Sequence, residues 1–393
     1  MTPCFLGRPG LVSALGEGVE ATRAALFAGD TSGMVLEDGL LPAAPARVGR
    51  VRAALPEIPA SFGVAAQSRN NRLLLAAIAQ IADQIEAAKA RFGADRVGIV
   101  LGTSTSGVAE GEAAIAAFHR DGCVPAGFDY GQMEIGAPAP FLARYLGLLG
   151  PAYTVSTACT SGAKALASAR NLLRLGLVDA VIAGGVDTLC RLTINGFAAL
   201  ESTTADLTNP LSANRHGINI GEAAAVFLVT RDEGEVQLLG IGESSDAHHM
   251  SAPEPEGRGA ELALRAALSD AGLTPKDITY INLHATATPK NDEMESRVVS
   301  RVFPDGVPVS GTKPMTGHTL GAAGALEAAF CWLALTGDGR LPPHVWDGAA
   351  DPALPPLSTV LADQRFADQA RVVMSNSFAF GGNNISLILR ENR

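Results

Sequence analysis

Apolar runs of strand length alternate with stretches of helical periodicity along most of the chain. VGIVLG at 97–102, YTVSTA at 153–158, DAVIAGG at 179–185 and AAVFLVT at 224–230 are short and nearly continuous, the pattern of strands buried on both faces. Between them, NNRLLLAAIAQIADQIEAAKARF at 70–92 and SGAKALASARNLLRLG at 161–176 repeat apolar or small residues every three or four positions, which predicts helices. After Thr230 the polar segment RDEGE breaks the pattern, which then starts again. VQLLGIGESS at 236–245 reads as a strand, RGAELALRAALSDA as a helix closed by Gly272, and ITYINLHA and VPVSG as strands. LGAAGALEAAFCWLALTG at 320–337 follows as a helix, and RVVMSNSFAFGGNNISLILR at 371–390 as two strands around a glycine turn. Helices interleaved with apolar strands predict an α/β fold with buried, largely parallel sheets. Two similar alternations suggest an internal duplication, with an N-terminal half at 1–231 and a C-terminal half at 232–393.

Composition narrows the function classes. With 393 residues, 47% of them hydrophobic and 18% charged, the chain can bury a large core and is not disordered. Its 30 Lys and Arg against 40 Asp and Glu give a net charge of −10, which argues against nucleic-acid binding through phosphates. Cys4, Cys123, Cys159, Cys190 and Cys331 form no CxxC pair, so neither a disulfide framework nor a zinc ribbon is indicated, and a reducing cytoplasm is expected. MTPCFLGRPGLVSALGEG lacks a basic leader region, no apolar run approaches the ~18 residues of a membrane span, and none is expected. The 43 glycines, about 11% against a usual ~7%, point to tight turns and close backbone approaches.

Four segments carry candidate chemistry. In VSTACTSGAKALASA a strand ends and a helix of small residues begins just after Cys159. A thiol there faces unsatisfied N–H groups and the positive end of the helix dipole, which favour thiolate; the alternative is a small buried hydrophobe. YINLHATATPKNDEMES puts His284 at a strand end, as a site histidine or a satisfied core one, with Thr286 and Thr288 at alternate positions offering hydroxyls to a linear polar ligand. SGTKPMTGHTLGAAGALEAA holds Lys313, one of only 5 lysines, and His318 in a Gly-rich loop, with Glu327 in the following helix. A buried Lys313–Glu327 pair would satisfy both charges; a solvated loop lysine is the plainer reading. In NSFAFGGNN, glycines let a backbone amide approach a reacting oxygen, and Phe378 and Phe380 could wall a channel or simply fill a hairpin core. No HxxxH or GxGxxG pattern points to a metal or a dinucleotide cofactor.

Together STACTSG, HATATPKND, KPMTGHTLGAAG and SFAFGGNN resemble the β-ketoacyl-acyl carrier protein synthases of the thiolase-like superfamily, in their elongating Cys-His-His form. The resemblance implies a five-layered αβαβα fold built from two duplicated halves. It implies that Cys159 takes an acyl group as a thioester, with the amides of Cys159 and Phe380 as oxyanion hole and Phe380 as gate. His284 and His318 would stabilise the enolate formed as malonyl thioester loses CO2, Lys313 and Glu327 would support the second histidine, and Thr286 and Thr288 would hold a phosphopantetheine arm. No cofactor of its own is implied, because acyl carrier protein supplies that arm along with the malonyl and acyl thioesters. The catalytic unit would be a homodimer or a heterodimer with a related chain, elongating a fatty acid, polyketide or polyene.

Three positions depart from the family pattern: Ala285 and Ala379 replace glycines, and Asn383 stands where Thr is common. The rivals are a non-catalytic chain-length partner, which would lack the nucleophile, a degradative thiolase, which would carry a second cysteine in FAFGGNN, and a Cys-His-Asn priming synthase. If 393 residues are filled by one such fold, substrates arrive on a separate carrier, and Arg69 and Arg72 are candidates for a local basic docking patch.

Overall fold

In the computed structural model, which describes residues 3–232, 234–367 and 371–392, the two runs of strands and helices build one topology twice. The first uses β1 (Gly10–Ser13), β2 (Val97–Gly102), β3 (Ala152–Val155), β4 (Ala180–Asp187) and β5 (Ala223–Thr230) in the order β3-β2-β4-β5-β1. The second uses β6 (Val236–Ser245), β7 (Tyr280–Asn282), β8 (Pro308–Ser310), β9 (Val372–Phe378) and β10 (Asn383–Glu391) in the order β8-β7-β9-β10-β6. In each, the first three strands are parallel and the last two pairings antiparallel. The expected largely parallel sheets are therefore mixed. For β9 and β10 the reason is the short glycine turn between them, since only an antiparallel pair can be joined so tightly. A two-residue strand, Phe5–Leu6, pairs with both β5 and β6 and links the two sets of strands into one hydrogen-bonded sheet.

The helices that bear on the site are α1 (Arg69–Ala79), α2 (Ala82–Phe92), α3 (Pro138–Leu146), α4 (Ser161–Arg174), α5 (Arg258–Ala271), α6 (Pro289–Val302) and α7 (Ala323–Thr336). The helix predicted over 70–92 breaks between α1 and α2, where the Gln80 amide turns to pair with both the N–H and the carbonyl of Leu11. Alternate residues of each strand point to opposite faces, and the core divides accordingly. Ile99, Leu101 and Ile182 pack with Leu74 and Ile78 of α1 and Phe141 of α3. Val100, Ala183 and Phe227 face inward to α4 and α7, which also receive Val373 and Leu387 of the second half. Ile281, Met374 and Ile388 face outward to Leu264 of α5 and Val298 of α6. The result is five layers, αβαβα, with α4 and α7 in the middle.

That middle layer explains the small residues noted in the sequence. A Cβ on Gly162 would lie 2.9 Å from the Cβ of Ala325, and one on Gly324 would lie 2.7 Å from the Cβ of Ala163, so the two helices cross at a spacing that excludes larger residues. Their N-terminal ends meet beside the C-terminal ends of β2 to β4 and β7 to β9, which is where the four singled-out segments lie. Among the described residues, no helix is long and apolar enough to cross a membrane.

Candidate active site

Cys159 lies two residues before α4, after a sharp turn in which Ala158 adopts φ 52°. The Ser161 hydroxyl fixes that turn, accepting from the Thr157 N–H at 2.9 Å and donating to the Ala158 carbonyl at 2.6 Å. Cys159 is buried at 4% exposure, and the backbone N–H groups of Phe380 and of Cys159 itself lie close enough to favour the charged form of its sulfur. Burial pushes the thiol up to about 11, against the opposing pull of the Lys313 charge and those two N–H groups. Burial therefore opposes the thiolate that the helix end favours.

Two loops bring the histidines to that sulfur. His318 Nε2 lies 2.9 Å from Cys159 Sγ, and one donor atom from each of Cys159, His284 and His318 falls within 4.8 Å of the others. The imidazole rings meet edge to face with centroids 5.3 Å apart. Lys313 Nζ, 2% exposed, donates to Glu327 Oε1 at 2.6 Å and to the His284 carbonyl, and lies 3.4 Å from His284 Nδ1. An ammonium beside Nδ1 makes that nitrogen the acceptor, so Nε2 carries the ring proton as a donor. Burial first, then the Lys313 charge, holds both histidines well below the ordinary 6.5, and both are neutral at pH 7. The same positive charge works against a divalent metal at this cluster.

A cavity of about 290 Å³ opens over these groups, lined by Cys159, His284, His318, Thr286, Thr288 and Phe380 among others. The backbone around the threonines is not extended, since Ala285 and Ala287 have φ of 38° and 62°, yet both hydroxyls reach the cavity and sit 2.9 Å apart. Ala285 thus carries the strain that the family's glycine would avoid. Phe380 stacks at 5.3 Å on Phe197, ahead of Gly381 and Gly382, whose positive φ of 86° and 81° only glycine adopts without strain. Phe378 touches the His284 ring at a 6.0 Å centroid distance.

Every candidate residue of the four segments therefore converges on one cavity or directly supports it. Others were not foreseen. Glu295 of α6 accepts the N–H groups of His284 and Ala285 at 2.8 and 2.7 Å and so fixes the strained turn; burial pushes its carboxyl up to about 7. Asp187, at the end of β4, accepts from Thr103, Ser104 and Thr105 of the first half and from Gly321 N of the second, at 2.5–2.8 Å, and so ties the loop after His318 to the Cys159 half. Arg69 and Arg72 do not form a free basic patch. Arg69 is paired with the buried Glu222 at 2.6 Å, and Arg72 with Glu57 and the Leu55 and Pro56 carbonyls.

Comparison with known proteins places this geometry. Residues 53–234 match the model of the β-ketoacyl synthase N-terminal domain and residues 236–345 that of its C-terminal domain. The chain is 38% identical over 269 residues to nodulation protein E of Rhizobium leguminosarum bv. trifolii, covering 65% of each protein. It is 37% identical over 262 residues to 3-oxoacyl-[acyl-carrier-protein] synthase 2 of Rhizobium meliloti, covering 62% of this chain and 61% of that one. These two matches span a little under two thirds of the relatives' own length. The structure superimposes with TM-score 0.95 on a chain of a ketosynthase–chain length factor complex from Xenorhabdus doucetiae, at 46% identity over 100% of this chain and 98% of that one. The duplicated fold, the cysteine facing two neutral histidines and these matches lead to one conclusion: the chain belongs to the β-ketoacyl synthase family.

Proposed function

We propose that the chain is a β-ketoacyl-acyl carrier protein synthase that extends a carrier-bound acyl group by two carbons. The observation that carries this reading is the meeting of Cys159 Sγ, two neutral imidazoles and two backbone N–H groups at the floor of one cavity. The Cys159 sulfur attacks an acyl thioester, its proton leaves with the departing carrier sulfur as the carrier thiol, and the acyl group is held as a thioester. Malonyl thioester then loses CO2. The electrons of the broken C–C bond collect on the thioester oxygen, which the His284 and His318 N–H groups stabilise as an enolate. The enolate carbon attacks the acyl carbonyl, whose oxygen develops charge against the amides of Cys159 and Phe380, a contact worth ~3 kcal/mol per donor. Collapse expels Cys159 thiolate and releases the β-ketoacyl product.

In this reading Lys313 and Glu327 anchor His284, a reassignment from the second histidine made because Lys313 contacts the His284 carbonyl and ring. Thr286 and Thr288 hold the phosphopantetheine arm delivered by acyl carrier protein in the cytoplasm, and Phe380 gates the cavity. The likeness over the full chain to a chain of a ketosynthase–chain length factor complex favours a second element: the partner is a related non-identical chain and the product a polyketide or polyene. The test of the first claim is elongation of an acyl-carrier substrate by Cys159→Ala, which is expected to stop; elongation at the parent rate overturns it. Native mass spectrometry of the protein purified from its own cells tests the second, a single repeated subunit mass being the contrary result.

A further inference from the structure

We propose that Asn219 is a positioning residue for His318, holding the main chain of that histidine where malonyl decarboxylation needs its ring. This deepens the ketosynthase reading of the cavity and rests on it.

His318 belongs to no helix or strand, and its ring has one anchor fewer than that of His284. Lys313 faces Nδ1 of His284, whereas Nδ1 of His318 is buried with no hydrogen-bond partner among the described residues. The orientation of a working imidazole is usually set by the hydrogen bond that its second nitrogen makes. For His318 that duty falls on the main chain. The His318 N–H donates to the Asn219 carbonyl at 2.7 Å and the His318 carbonyl accepts from Gly221 N–H at 3.0 Å, so residues 219–221 grip it as a strand grips its parallel neighbour. The seat is close. A Cβ on Gly317 would lie 2.8 Å from the Ile220 carbonyl oxygen, and one on Gly221 would lie 2.0 Å from that of Thr316. A shift of Asn219 is therefore passed on to His318, whose Nε2 stands 2.9 Å from Cys159 Sγ.

What fixes Asn219 is its own side chain. It is the polar residue between the buried Ile218 and Ile220, and at 2% exposure its amide must find partners within the protein. Nδ2 donates to the Thr204 and Asp206 carbonyls, each at 2.9 Å, and Oδ1 accepts from Thr208 N–H at 2.8 Å. All three bonds end on the main chain of one irregular segment, 204–208. That segment also meets the loop of the other histidine, because the Thr208 hydroxyl donates to the Gly217 carbonyl at 2.7 Å and, at 3.5 Å, to the Thr286 carbonyl. One amide thus registers His318 against a segment that touches both histidine loops. An apolar side chain of the same size would leave two carbonyls and one N–H without their partner and release that register.

The two half-reactions separate this claim from a general loss of structure. In the mechanism above, loading of Cys159 uses the thiol and two amides, whereas decarboxylation uses His318. Asn219→Leu should lower kcat for malonyl-carrier decarboxylation about tenfold or more, since a misplacement of about 1 Å can cost ~100-fold, while KM and the rate of acyl loading on Cys159 stay within about twofold of the parent. Asn219→Asp, which keeps the acceptor for Thr208 N–H and loses both donors, should fall between. In a His318→Ala background Asn219→Leu should cost less than about twofold more, because its effect runs through that ring. Released CO2 reads decarboxylation and intact-protein mass spectrometry reads loading. Equal loss of both half-reactions in the two Asn219 variants, loss of neither, or an undiminished effect in the His318→Ala background overturns the proposal and leaves the ketosynthase reading in place. Failure of the parent protein to decarboxylate malonyl-carrier protein sinks both.

Discussion

Replacing Glu327 with Gln removes the counter-charge from a lysine that has almost no water to turn to. Lys313 and Glu327 side chains are 2% and 3% exposed and meet at 2.6 Å. Breaking a buried pair from one side costs about 3–5 kcal/mol, because the remaining charge stays desolvated without compensation. Unfolding entropy of about 2.1 cal/mol/K per residue gives a 393-residue chain ~0.8 kcal/mol/K, so the loss should lower Tm by about 4–6 °C. The double change Lys313→Met with Glu327→Leu removes both charges and should recover most of that loss while abolishing the ammonium beside His284. Differential scanning calorimetry of the parent, the single and the double variant reads the coupling directly. A shift below ~1 °C in Glu327→Gln, or a double variant less stable than the single, would refute the claim that this is a desolvated pair held for the sake of His284.

Three further outcomes follow from the same geometry. Because burial and Lys313 keep both histidines neutral, the malonyl decarboxylation rate should be flat from pH ~6 to ~8, and a step near the ordinary imidazole value of 6.5 would contradict it. Glu295 binds its proton up to about pH 7 in the folded chain against 4.5 when solvated, so its contribution to stability is full below about 4.5 and is lost as pH rises through about 7. Tm measured across that window should fall in the parent more steeply than in Glu295→Gln; equal slopes would remove Glu295 from the account. A Cβ on Gly311 would lie 2.5 Å from the Ala285 methyl, so Gly311→Ala should destabilise by ~1–3 kcal/mol in thermal unfolding, and Ala285→Gly should rescue it. Absence of rescue would mean that the Ala285 turn is not the obstacle.

The candidate residues were legible because each lies in a segment of small residues and glycines that follows an apolar strand. Cys159, His284, Lys313, His318 and Phe380 all announce themselves in this way. Glu295 did not, because NDEMES offers three carboxylates and only the fold shows which one turns under the His284 loop. Asp187 was hidden in an apolar strand for the same reason, since its five donors come from chain segments more than 80 residues away. The burial of Cys159, which opposes the thiolate, was not legible in the sequence. A helix end is visible in a string of letters, whereas the depth of burial that opposes it is a property of the packed molecule. Strand positions came through well, but the antiparallel pairings of β5, β6 and β10 depend on how the chain returns, which periodicity does not encode.

The central claim is that Cys159 carries the growing acyl chain. Peptide mass spectrometry after incubation with acyl-carrier protein should find the acyl mass on the Cys159 peptide and on none of those bearing Cys4, Cys123, Cys190 or Cys331, and the mass should vanish when malonyl-carrier protein is added, with a product two carbons longer. Acyl groups on another cysteine, or elongation by Cys159→Ala at the parent rate, would contradict the account.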